Sequence, residues 1–335
     1  MNLTHDWKQI VEPAEPFLEQ VILRLGEQVT AFDPEIVPYA RYALTNQGKQ
    51  LRPALVALAA ETSGRCNDNH VTVAVIIEMI HLATLVHDDV MDEASIRRSR
   101  PTVAAKWGNE ISVLLGDCLF AHALKLASGF HTTEVCRAVS AATNTVCSGE
   151  ILQTNRRGRF EVNRAAYFKI ISMKTAELFA LSCELGARMS GVSDASCAAM
   201  RQYGMSLGTA YQIYDDCVDL YGSEATVGKS LGTDLASGKL TLPVLIYLEK
   251  STPTEQAHLK KLLANWNPDY HAEVLELLDQ YHALDESCHV IQGYLQTARD
   301  SLQSFAASQS RNGLLALTGF LAAQTEALRP GLRTT

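Results

Sequence analysis

The chain has 335 residues, 47% of them hydrophobic and 20% charged, with a formal net charge of −8. This is an ordinary globular composition with enough apolar residues for one large core. The acidic balance and the lack of any basic block argue against a nucleic-acid partner, and any phosphorylated ligand has to be met by local cations.

Taken in chain order, the opening stretch MNLTHDWKQIVEPAEP carries proline and acidic residues and no apolar core, so it does not read as a signal peptide. Helical periodicity then runs almost throughout. It predicts helices over 6–29, 34–46, 52–63, 71–93, 109–129, 132–154, 163–190, 193–221, 241–249, 254–265, 271–282, 284–308 and 312–327. The breaks carry Gly, Asn, Ser or Pro, as in SGRCNDN, RSRPT and STPTEQ. No alternating strand pattern stands out, and the longest Gly-rich polar stretch is 222–241. The most apolar run, Val71–Val86, is broken by Glu78 and His81, so no membrane span is expected. The eight cysteines form no Cys-x-x-Cys pair and read as reduced core residues of a cytoplasmic protein. The expectation is a single all-α domain over 1–335, with several helices buried on most faces.

Two short stretches carry the chemistry. HDDVMDEASIRR places Asp88, Asp89 and Asp92 at the end of an apolar helix, and YDDCVDLYG repeats the spacing at Asp215, Asp216 and Asp219. Positions four apart share a helix face, so Asp88 with Asp92, and Asp215 with Asp219, point the same way. Carboxylates so crowded repel unless a cation joins them. Oxygen ligands with open positions suit Mg²⁺, which keeps waters and accepts substrate phosphate oxygens. One such cluster reads equally well as a solvated helix end. Two with the same spacing, each after an apolar helical run, do not.

Cations for a phosphate are supplied separately: Lys49 and Arg52 in NQGKQLRPAL, Arg97 and Arg98 after the first cluster, Lys174 within the apolar SMKTAELFAL, and Lys229 and Lys239 after the second cluster. Arg100 and Lys106 read as plain surface charges. GKSLGTDLASGK lacks the spacing of a nucleotide-binding P-loop.

Together, GKQLRP, EMIHLATLVHDDVMDEASIRRSRPT, GDCLF, GEILQ, KTAELF, YQIYDDCVD and GKSLGTDLASGKLTLP resemble, in order and spacing, the trans-type isoprenyl diphosphate synthases, or polyprenyl synthetases. The resemblance is firmest over 40–250. It implies an isoprenoid-synthase-type helical bundle around a deep central cavity, a homodimer, and Mg²⁺, as three ions bridged by the substrate diphosphate. It implies Asp88, Asp92 and Asp215 as direct metal ligands, with Asp89, Asp216 and Asp219 partly acting through water. Arg97, Lys174, Lys229 and Lys239 match the allylic diphosphate positions, and Lys49, Arg52, His81 and Arg98 the isopentenyl diphosphate pocket. Thr175 and Gln212 match positions lining the reacting centre. His87 and His122 keep the reading of core histidines, and Tyr211, Tyr214, Tyr221 and Phe179 that of core aromatics. The chain departs from the family's Gly-Gly-Lys with Gln47-Gly48-Lys49.

The activity so implied is head-to-tail condensation of isopentenyl diphosphate with a dimethylallyl, geranyl or farnesyl diphosphate. Ala83 and Thr84, one to two turns before Asp88, stand where shorter-product members often carry a bulky aromatic. The tail is therefore expected to pass them toward Ile80, Ile77 and Ile76, with Phe120 contributing from a facing helix, giving a product of C20 to C40. Three rivals are a terpene cyclase of the same fold, a non-catalytic subunit of a heteromeric synthase, and a head-to-head condensing enzyme. The intact second cluster and the second set of diphosphate cations argue against the cyclase, the presence of both clusters against the non-catalytic subunit, and the GKQLRP and GKSLGTDLASGK segments against the head-to-head enzyme.

Overall fold

The computed structural model describes Trp7 and residues 9–45, 48–222 and 231–329. Among these the secondary structure is helical apart from one two-residue ladder. Contacts divide the chain into two compact units, one of Met1–Asn144, Leu178–Gly204 and Leu302–Leu314, the other of Thr145–Glu177, Met205–Ser301 and Leu315–Thr335.

The first unit opens with α1 (Glu15–Gln28), preceded by a 3₁₀ turn at Glu12–Ala14. The single helix expected over 6–29 is thus interrupted, because Pro13 and Pro16 lack the N–H groups a continuous helix needs. Next come α2 (Val37–Leu44), α3 (Leu51–Ser63) and α4 (Asp68–Met91). Helix α4 is rich in β-branched residues, which have modest helix propensity. Burial overrides it: His70 through Ala83 is almost continuously buried, and Ile76, Ile77 and Ile80 are fully so, each contributing about 1.5–3 kcal/mol. Asn67 starts the helix in a reciprocal capping box with His70, whose Nε2 also reaches Gly186 O at 3.1 Å.

A hairpin, β1 (Ile96–Arg97) and β2 (Arg100–Pro101), follows in antiparallel register. It is the one strand pair among the described residues, too short to leave a period-2 signal. Then come α5 (Val103–Trp107) and α6 (Asn109–Ser128), the latter packed along α4. Gly116 makes that approach possible, since a Cβ there would lie 2.1 Å from His87 Nε2.

Helices α4 and α6 are long and apolar enough to cross a membrane, contrary to the sequence expectation. The apolar window of α4 is 72% buried inside the protein, as in a core helix, whereas that of α6 is 39% buried.

α7 (Glu134–Thr154) passes from the first unit to the second. The second unit continues with α8 (Arg164–Ile171) and a π-helical segment at Ser172–Ala176. After this, α9 (Glu177–Met189) and the first part of α10 (Asp194–Tyr221) belong to the first unit. The rest of α10, α11 (Thr233–Ala236), α12 (Leu242–Lys250), α13 (Pro253–Ala264), α14 (His271–Gln280) and α15 (Ala283–Ser301) belong to the second. Helix α15 stops short of the expected 308, where Ser308 Oγ caps the next segment by accepting Arg311 N–H at 3.1 Å. α16 (Gln309–Glu326) ends the described fold. In the second unit Arg164 bridges Glu249 and Glu286, both at 2.6 Å, tying α8 to α12 and α15.

All eight cysteines are free thiols. Cys183, Cys197, Cys217 and Cys288 are buried as expected, but Cys147 is exposed and the other three are intermediate, which corrects the core reading for half of them.

Candidate active site

In the first unit the site grows from the C-terminal end of α4. Asp88 is half-buried, Asp92 is the exposed C-cap, and Asp89 is buried. A helix C-terminus carries partial negative charge, so three carboxylates there need cations. Arg97 Nε donates to Asp89 Oδ1 at 2.5 Å. Burial pushes the Asp89 carboxyl up, and Arg97 pulls it back.

The hairpin presents these arginines. Arg98 and Ser99 form its two-residue turn with φ of 52° and 60°. Both are in the left-handed region, which costs about 1–2 kcal/mol for a residue with a Cβ. The hairpin is anchored by Tyr42, whose hydroxyl donates to Pro101 O at 2.8 Å and whose ring lies 3.6 Å below the Arg100 guanidinium carbon. Lys106 lies over Tyr42 and Trp107 at 4.4 and 4.5 Å. Arg100 and Lys106 are therefore struts of the hairpin and not plain surface charges.

The Arg98 guanidinium lies over the backbone of Gly48, where a Cβ would fall 2.5 Å from its Nη2. Gly48 thus brings the GKQLRP segment to the hairpin, with Lys49 exposed and Arg52 half-buried. Gln47 lies outside the described residues. Arg52 stacks over Phe179 at 5.0 Å, so Phe179 is both core and support for a cation. Glu78, one turn before His81 on α4, is buried beside the same arginines. Burial raises its pKa while Arg52 and Arg98 lower it. Burial, then Arg52, Arg98 and Arg97, hold the His81 imidazole well below its usual value, so it stands neutral. A small cavity lined by Tyr42, Leu82, Asp89, Arg97, Arg98 and Thr102 opens beside this cluster.

Thr84 and His81 are half-buried on the Asp88 side of α4, whereas Ala83, Ile80 and Ile77 are at most 1% exposed. The accessible stripe on this helix therefore runs His81–Thr84–Asp88 and closes at the isoleucines. His87 is half-buried and hydrogen-bonds Val113 O at 3.0 Å, while His122 is buried against Gln28.

In the second unit the π-helical segment carries Lys174 and Thr175. Such bulges favour functional sites because they re-aim side chains. Gly149 of α7 lies against it; a Cβ would sit 2.8 Å from Lys174 N and 2.9 Å from Met173 Cβ. The next residue, Glu150, forms an ion pair with Lys174. GEILQ thus joins a glycine for close approach to a counter-charge for the lysine.

Thr175 Oγ1 donates to Gln212 Oε1 at 2.7 Å, Gln212 Nε2 donates to Asp216 Oδ1 at 2.8 Å, and Tyr167 Oη donates to Asp216 Oδ2 at 2.5 Å. Burial, then Asp234, push the Asp216 carboxyl well up, and the two donors oppose this. Asp219 accepts from Thr233 Oγ1 at 2.6 Å and from Asp234 N at 2.9 Å, fixing the chain after α10. Asp215 is half-buried. Lys239 lies 3.5 Å from Asp234. Lys229 lies outside the described residues. Tyr211 and Tyr214 are half-buried and Tyr221 is buried.

The six aspartates therefore differ. Asp88, Asp92 and Asp215 present accessible carboxylates, whereas Asp89, Asp216 and Asp219 are buried and held by donors. Among the described residues no three metal-binding side chains converge into a ready-made cage. Mg²⁺ takes one or two carboxylates and completes its shell with water and phosphate oxygens, so the accessible Asp88, Asp92 and Asp215 could serve as its ligands. Glu78, Glu150, Tyr167 and Tyr42 were not singled out from the sequence. A buried Glu in an apolar run and the Glu of GEILQ were the available signals; the tyrosines left none.

A helical fold with two carboxylate clusters and cations beside them is a pattern suited to metal-bound phosphate groups. The family model described as polyprenyl synthetase matches residues 33–281, and the chain belongs to this family. It is 30% identical to the short chain isoprenyl diphosphate synthase of Methanothermobacter thermautotrophicus, covering 93% of this chain and 98% of that one. It is 35% identical to heptaprenyl diphosphate synthase component 2 of Bacillus subtilis, covering 90% and 86%. A solved polyprenyl synthase from Caulobacter crescentus CB15, complexed with calcium and isoprenyl diphosphate, superposes with a TM-score of 0.88 at 34% identity, covering 95% and 97%.

Proposed function

We propose that the chain is a Mg²⁺-dependent trans-prenyltransferase that condenses an allylic diphosphate with isopentenyl diphosphate to an all-trans polyprenyl diphosphate of C20 to C40. The observation that carries the reading is the division of each aspartate cluster into accessible and anchored carboxylates, beside cations at the family's diphosphate positions.

Asp88 and Asp92 in the first unit and Asp215 in the second would serve as metal ligands. Bound Mg²⁺ supplies charge neutralisation that makes the allylic diphosphate a better leaving group. Lys174, Lys229, Lys239 and Arg97 serve that diphosphate, and Lys174, Lys239 and Arg97 exchange Glu150, Asp234 and Asp89 for phosphate oxygens. Lys49, Arg52 and Arg98 hold isopentenyl diphosphate, with neutral His81 at the pocket wall. The allylic C–O bond breaks, and the isopentenyl double bond attacks the resulting cation to form a new C–C bond. A proton then passes to the departing diphosphate. Apolar walls keep water from quenching the cation. The open stripe past Thr84, closing at Ile80 and Ile77, supports a tail longer than C15.

We also infer that the chain works as a homodimer, with the exposed apolar face of α6 at Val113 and Leu114 covered by a second copy. We further propose one functional domain, since most dividing points between the units fall inside helices and not in linkers. A cytoplasmic location accords with the free thiols.

A second reading rests on the Bacillus relative, whose name marks it as one component of a synthase. One experiment separates the alternatives: incubation of the purified chain with isopentenyl diphosphate, an allylic diphosphate and Mg²⁺, followed by mass spectrometry. Elongated diphosphates are expected. Cyclised hydrocarbons would indicate a terpene cyclase, and no turnover without an added partner would indicate a heteromeric component.

A further inference from the structure

The hydrogen bonds around Asp216 all run one way. Gln212 turns its amide nitrogen to Asp216, donating from Nε2 to Oδ1 at 2.8 Å. That places the Gln212 carbonyl oxygen at Thr175, which can only donate to it. The Thr175 proton is thereby committed, and its oxygen can offer only lone pairs to anything else. The second oxygen of Asp216 is taken by Tyr167 Oη at 2.5 Å, and this tyrosine is 5% exposed. Tyr167 lies on α8, Thr175 on the π-helical segment, and Gln212 and Asp216 on α10. One chain of donors thus links three elements of the second unit and ends at one carboxylate.

We propose that Tyr167 is a positioning residue: by holding Asp216 it fixes the direction of the Gln212 amide and turns the Thr175 oxygen, lone pairs outward, toward the developing allylic cation. Without the Tyr167 donor, Asp216 can rotate, Gln212 can invert, and the Thr175 hydroxyl can present its positive hydrogen instead. An inverted dipole beside a cation raises the barrier while leaving the isopentenyl pocket untouched. The proposal rests on the functional reading above.

The test compares the full-length wild type with Tyr167→Phe, Thr175→Val and the double variant. Circular dichroism melts confirm folding, and Asp216→Asn provides a second route to the same inversion if Tyr167→Phe does not fold. Tyr167→Phe is expected to lower kcat about tenfold with the isopentenyl diphosphate KM within about twofold, since losing one oriented donor of this kind costs on that order or more. Thr175→Val should add little to Tyr167→Phe, because the two act along one path. A readout free of turnover is calorimetric binding of Mg²⁺ with inorganic pyrophosphate, which Tyr167→Phe should weaken several-fold by loosening Asp216. Full kcat in Tyr167→Phe, or losses that multiply in the double variant, would overturn the proposal. A wild type that binds Mg²⁺ and pyrophosphate but elongates nothing fails the functional reading alone, and calorimetry of the variant then decides on Tyr167. A wild type that does not bind them overturns both.

Discussion

The two aspartate clusters share a spacing and differ in almost everything around it. The first ends a helix, where Asp88 and Asp92 are accessible and Asp89 is buried in an ion pair with Arg97 of β1, just before the strained two-residue turn. The second lies within α10, where Asp216 and Asp219 are locked by neutral donors from Tyr167, Gln212, Thr233 and the Asp234 amide, and Asp215 is the accessible member. A cluster at a helix end can be held by charge, because solvent and the arginines of the hairpin are at hand. A cluster inside a buried helix has to be held by hydrogen bonds that stay satisfied whether or not a ligand is bound.

This contrast breaks most sharply at the accessible carboxylates. Asp88→Ala and Asp215→Ala should each lower kcat by about 10²–10³, as for loss of a principal electrostatic group, with melting temperature unchanged or raised. Asp219→Ala should instead destabilise the fold by about 1.5–3 kcal/mol in urea unfolding, because buried amide and hydroxyl donors lose a charged acceptor. Equal effects of Asp215→Ala and Asp219→Ala on stability would erase the distinction.

Gly149→Ala probes the framework of the second region. Its Cβ would meet backbone at 2.8 Å, so a cost of about 1–3 kcal/mol is expected, with a raised KM for the allylic diphosphate as Lys174 is displaced. The same substitution at Gly293, which has open space, should be nearly silent and serves as control.

On α4, Thr84→Phe should shorten the product on a chromatogram with little loss of stability, since Thr84 is partly open. Ala83→Phe enters a fully buried position and should cost about 1–3 kcal/mol as well. Unchanged product length in both would sink the idea that α4 measures the chain.

The smallest effect concerns pH in the first region. His81 is held neutral, its folded pKa lying well below 6.5. The unfolded chain then binds a proton that the folded one refuses. Stability is intact above pH 6.5 and falls as pH drops through the interval below it, by up to about 1.4 kcal/mol per unit. His81→Gln should lessen the loss between pH 6.5 and 5.5 in denaturant melts, with His70 leaving a residual slope of the same sign.

Much of this was legible beforehand. The helical period located nearly every long helix, because a buried helix needs an apolar residue every third or fourth position and little else. The duplicated aspartates and the scattered cations were legible for a similar reason: charge in an apolar run is expensive and therefore conspicuous. The interruptions were harder to read. Pro13 and Pro16 could have announced the break in the first helix, which was expected unbroken over 6–29, and nothing local announced the π-helical segment at Ser172–Ala176 or the two-residue ladder around Arg98.

The sequence by itself determined an all-α chain, the six aspartates, and most of the cations about them, since each rests on residue type and spacing along one element. Only the tertiary structure decided which aspartates are presented and which are anchored. It also decided that Gly48 and Gly149 exist for close approach, and that Tyr167, Glu78 and Glu150 belong with the site. These assignments depend on partners far away in the chain, such as Tyr167 with Asp216, and spacing along one helix holds no information about what another helix brings against it.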